Sequence, residues 1–188
     1  METSTAIILA VIVVAALIGL ALFMRRRRTT HLRSQFGPEY ERAVEETGAR
    51  GKAEAVLATR AKRVEGFEIH PLTTEDRSRF DGSWRQVQAE FVDDPRAAVG
   101  HADQLLGEVM QARGYPVTDF EQRSEDLSVD HPAVVQNYRA AHDIAVRHAR
   151  GEAGTEDLRQ AMIHYRSLFD DLVAEAAPQP SPARAAAH

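Results

Sequence analysis

Ser128, Asp130 and His131 carry the side-chain types of a hydrolase relay within one short stretch of chain. A relay needs a hydroxyl, an imidazole and a carboxylate to converge in order, and side chains this close in sequence rarely do so. No GxSxG turn presents a serine elsewhere. The same residues also have a structural reading, in which Asp130 or His131 caps a helix opened by Pro132 and Ser128 turns the chain into it. On that reading, replacing Asp130 by Ala costs stability and not a reaction.

The chain has 8 histidines, of which His142, His148 and His164 fall in its last helical stretches. None of these three lies four residues from another, and neither HExxH nor a Glu-x-x-His di-iron motif occurs. His142 adjoins the apolar stripe of Tyr138 and Ala141, so a partly buried, hydrogen-bonded ring is expected there. The pairs Asp93-Asp94 and Asp170-Asp171 could act as paired carboxylates, but they sit at helix ends and read as solvated surface. Neither GxGxxG nor GxxxxGK[ST] is present, so nucleotide phosphates have no recognisable cradle. Trp84 and Tyr165 fit core stripes better than a stacking platform. No catalytic residue, metal ligand or cofactor site is assigned, and a non-enzymatic role is expected.

The segment RGYPVTDFEQR (113–123) offers Tyr115 and Phe120 as aromatic anchors and Arg113 and Arg123 as charged flanks. That is the composition of a protein contact site. The alternative is a long connection that folds back and covers the end of a bundle with the same aromatics.

The elements that would position these residues follow from charge and hydropathy. The formal net charge is −5, yet Arg25, Arg26, Arg27, Arg28 and Arg33 cluster beside one apolar run, leaving the chain from Ser34 onward acidic. An acidic body argues against nucleic acid, whose binding relies on clustered cations that displace counterions. The absence of cysteine removes disulfides, thiolate metal sites and a Cys nucleophile.

The apolar run AIILAVIVVAALIGLALFM (6–24) has no charged side chain. As a helix rising ~1.5 Å per residue it would match a hydrocarbon layer of about 30 Å. A cleaved signal peptide would need positive charge before the run and a small-residue site after it; here no positive charge precedes it and four arginines follow. Residues 6–24 are therefore expected to be a transmembrane helix in the cell (inner) membrane. The arginines 25–28 orient it, with residues 1–5 outside and the C-terminal domain cytoplasmic. Ala15 and Gly19 would let two such helices approach closely, leaving an oligomer open.

Beyond a basic juxtamembrane segment (25–37), residues 38–66 read as a charged helical stalk, bent or interrupted near Gly48 and Gly51. Its apolar Tyr40, Val44, Leu57 and Val64 sustain no heptad. Residues 72–174 then read as a helical bundle of about four core helices. Thr73 or Thr74 caps the first, with the stripe Phe80, Trp84, Val87 and Phe91. Asp94 and Pro95 open the second, striped by Val99, Ala102, Leu106 and Val109, and Gly114 ends it. Asp130 or His131 opens the third, with Val134, Tyr138, Ala141 and Ala145 as its stripe. Thr155 caps the fourth, whose stripe is Leu158, Met162, Tyr165, Phe169 and Leu172. The link 115–129 is expected to include a short turn around Phe120, and the Pro/Ala-rich tail 175–188 is expected to be disordered.

FGPEYERAV (36–44), FVDDP (91–95), RGYPVTDFEQR (113–123), DLSVDHPAVVQNYRAAH (126–142) and TEDLRQAMIHYRSLFDDL (155–172) together resemble a group of uncharacterised single-pass membrane proteins of actinobacteria. The resemblance covers most of the chain after the apolar run and implies a bacterial single-pass protein, with no activity or site residue to carry over.

These readings give an all-α protein with an N-terminal transmembrane helix, a charged stalk helix and a small cytoplasmic bundle. Its expected partners are membrane lipid through the N-terminal helix and a protein bound or positioned at the inner face. A membrane-tethered enzyme using His142, His148 and nearby acids is one alternative. A lipid-responsive structural protein working through its arginines and stalk is another.

Overall fold

Thr73 ends an extended approach, and its hydroxyl oxygen accepts the Asp76 amide at 3.0 Å, so a helix starts at the next residue. Such local events set most helix boundaries in the computed structural model of the chain, which describes the backbone of residues 2–174 and the side chains of residues 13–174. Among the described residues there are eight helices and no strand: α1 (Glu2–Phe36), α2 (Pro38–Thr47), α3 (Arg50–Val64), α4 (Thr74–Glu90), α5 (Pro95–Ala112), α6 (Phe120–Asp130), α7 (Val135–Ala149) and α8 (Thr155–Ala174). The chain divides into two units, residues 1–58 and 59–188. The expected tail 175–188 lies outside the described residues, as do the side chains of the expected N-terminus 1–5.

In the first unit α1 does not stop at Met24 but runs through the arginines to Phe36, so the expected juxtamembrane segment is helical. Its side chains Val13, Leu17, Ile18, Leu22, Phe23 and Met24 are all exposed, on every side of the helix. Among the described residues no helix is long and apolar enough to cross a membrane. Residues 6–12 of the expected span have side chains outside the described set, and the apolar residues from Val13 onward run straight into the arginines.

The stalk is two helices. Gly48 adopts φ 67°, the left-handed conformation that glycine reaches without strain, and closes α2 by donating its amide to Val44 O. Of the stalk's apolar positions Tyr40, Leu57 and Val64 are buried, as are Ala43 and Ala53. Glu54 is buried as well, and its Oε1 accepts hydrogen bonds from Thr29 (2.6 Å) and Tyr40 (3.0 Å).

In the second unit α4, α5, α7 and α8 are the core helices, with α8 packed on both α5 and α7, α4 on α5, and α6 on α7. The expected stripes are the core: Phe80, Trp84, Val99, Leu106, Tyr138, Leu158, Tyr165 and Phe169 are all buried. Trp84 stacks on Phe169 with ring centroids 4.8 Å apart. Asp94 Oδ1 caps α5 by accepting the Ala97 amide at 3.0 Å, and Pro95 takes the first helical position, where a missing N–H costs nothing. Gly114, at φ 96°, stops the chain beyond α5; an added Cβ would lie 2.2 Å from Glu68 O, so no other residue fits this turn.

Two expectations fail near residue 120. The link is not a short turn but the helix α6, capped by Asp119, whose Oδ1 accepts the Gln122 amide at 2.9 Å. Asp130 does not open the next helix; it is the last residue of α6, and His131 is its C-cap. The following helix starts only at Val135, without a side-chain cap.

Candidate functional site

The relay residues diverge. The Ser128 hydroxyl donates to its own helix, at Glu125 O (2.6 Å), and Asp130 accepts from the Tyr115 hydroxyl at 3.2 Å. His131 is buried, and its Nδ1 lies 2.6 Å from Asp171 Oδ2 on α8. Because a carboxylate only accepts, Nδ1 carries the proton in this pair. A shallow cavity of about 280 Å³ borders it, walled by Asp130, His131, Asp171 and the 132–134 turn, with no hydroxyl or thiol on its walls. An imidazole oriented by a carboxylate is half of a general-base device, and no nucleophile meets it among the described residues. Asp171 keeps a partly solvated carboxylate while making this contact. Asp170 is exposed and pairs with Arg166.

Arg113, Tyr115, Phe120 and Arg123 do not form an exposed patch. Arg113 is buried and donates from Nη1 to Leu172 O at 3.1 Å, and Tyr115 is buried beside the His131 ring. Phe120 stacks on His142 with centroids 3.5 Å apart, and Arg123 reaches Asp103 at 3.3 Å. The segment folds back onto the bundle, as the alternative reading had it, and the long cationic and aromatic side chains are internal clamps.

Arg123 and Asp103 belong to a second polar cluster, with Tyr138, Tyr165 and His142. Burial, and next the Asp103 carboxylate, pushes both phenols far up, so they stay protonated. Burial lowers the His142 pKa, opposed by Asp103 and Glu121, and favours a neutral ring against Phe120. His148 is engaged locally, with Ala153 O at 2.7 Å, and His164 on α8 meets Asn137 Oδ1 on α7 at 3.1 Å. Among the described residues no group of three or more His, Cys, Asp or Glu is placed to hold a metal ion.

Two features open to solvent. Between α4 and α8, Trp84, Phe91, Met162 and Ile163 line a groove of about 280 Å³ together with Arg159 and Arg166, and Ile163 is 48 % exposed. In the first unit the arginines 25–28 are all exposed on α1. Sequence reasoning missed the groove because Met162 reads as core and Ile163 as its neighbour. No protein-family model, curated protein or solved structure matches the chain.

Proposed function

We propose that the protein is a single-pass membrane-anchored helical module that binds or positions another protein at the inner face of the cell membrane. The observation that carries this reading is α1, whose apolar side chains from Val13 to Met24 are exposed around the helix and are followed at once by four exposed arginines. A helix apolar all round needs an apolar surround, and among the described residues none covers these side chains. Completing the span with residues 6–12 of the sequence reaches the length of a hydrocarbon layer, and the arginines then hold the C-terminal side in the cytoplasm.

A non-enzymatic role is supported by how the titratable groups are used. His131, His148 and His164 each hold a structural partner, and both core phenols are kept protonated. The groove between α4 and α8 is the apolar surface offered to a partner.

Proximity labelling in cells from a tag after Ala177 tests the reading, comparing the intact chain with one lacking residues 6–24. Labelling of a specific cytoplasmic protein by the anchored form alone, lost on Ile163→Asp, is the expected result. No enrichment by either form would contradict it.

A further inference from the structure

The turn of α1 just after the apolar residues faces the start of α3 across a cleft of about 420 Å³, lined by Leu22, Arg25, Arg26, Thr29, Thr30, Arg50, Gly51 and Glu54. Three arginines from two helices, Arg25, Arg26 and Arg50, line it, and none is paired with a carboxylate among the described residues. One acid, Glu54, also lines the cleft against the three arginines; it is 7 % exposed, and its Oε1 accepts from the Thr29 and Tyr40 hydroxyls. Arg50 and Gly51, at the start of α3, bring the second helix to the same space. Three arginines lining a space of this size match a phosphate, whose oxygens accept several charge-assisted bonds at once. Leu22 gives the cleft one apolar wall, continuous with the exposed apolar side chains of α1.

We propose that this cleft binds the phosphate headgroup of an anionic phospholipid in the leaflet beside Met24. The acyl chains lie along the apolar part of α1, and Arg25, Arg26 and Arg50 hold the phosphate. The inference rests on the anchor reading. It goes further by making the arginines a built site rather than a diffuse charge, and by recruiting Arg50, which lies outside the basic run.

The test uses the full chain in detergent with equimolar phosphatidylglycerol and phosphatidylcholine, and native mass spectrometry to count retained lipid. In parallel, reconstituted vesicles are extracted with alkali to establish insertion. The intact chain is expected to retain phosphatidylglycerol selectively. Arg50→Gln should reduce that selectivity about fivefold, and Lys52→Gln, which removes an exposed neighbouring charge, should leave it unchanged. Equal effects of the two variants, or no selectivity in the intact chain, would overturn the headgroup site while leaving insertion intact. Arg50-dependent binding of inorganic phosphate without lipid selectivity would make it a free-anion site and overturn the lipid assignment. Release of the chain by alkali would defeat the anchor itself, and the headgroup site with it.

Discussion

His131 Nδ1 lies 2.6 Å from Asp171 Oδ2, although the two residues are 40 apart in sequence. The contact ties the C-cap of α6 to the last turns of α8 and explains why an imidazole is buried where no nucleophile accompanies it. Asp171→Ala removes the carboxylate acceptor of the buried His131 ring. It should cost about 1–3 kcal/mol, measured by chemical denaturation of the full chain in detergent. A change of a few tenths would mean that another group takes over the proton.

Helix caps separate two kinds of aspartate. Asp94→Ala and Asp119→Ala each remove a side-chain acceptor from a helix start and should each cost about 1 kcal/mol. Asp130→Ala removes the bond from Tyr115 and should cost about 0.5–1.5 kcal/mol. Its helix content by circular dichroism should stay the same, whereas loss of a cap frays the first turn.

The large aromatic pair is the energetic centre of the bundle. Trp84→Ala removes a fully buried indole stacked on Phe169 and should destabilise by about 3–5 kcal/mol, read from the denaturation midpoint. Trp84→Phe should lose markedly less. Equal losses would show that the indole shape and not its volume is required.

The pH dependence follows from His142. Burial lowers its folded pKa below the ordinary 6.5, so the unfolded chain binds the proton more readily. Its contribution to stability is therefore complete above about pH 6.5 and declines as pH falls through the folded value. His142→Phe keeps a ring against Phe120 and should flatten the stability profile below pH 6.5. An unchanged acid slope would assign it to other groups.

What the sequence revealed depended on how local the cause was. Thr73, Asp94 and Gly114 act within a turn of their own residue, and the starts of α4 and α5 were legible to within a residue. α6 was hidden because its buried face is largely polar: Ser124, Asp126 and Ser128 are buried beside Leu127 and Val129, which erases the apolar period. Asp130 was misread because Pro132 promises a helix start that arrives only at Val135. The buried roles of His131, Arg113 and Arg123 come from α8 and α5, partners that no local pattern names.

The central claim is the anchor with its arginines inside, and the chain's freedom from cysteine makes it directly testable. Thr3→Cys and Arg150→Cys are made singly in the full chain and treated in intact cells with a membrane-impermeant maleimide. The account predicts labelling at position 3 in intact cells, and labelling at position 150 only after permeabilisation. Labelling of position 150 in intact cells, or of position 3 only after permeabilisation, would contradict it.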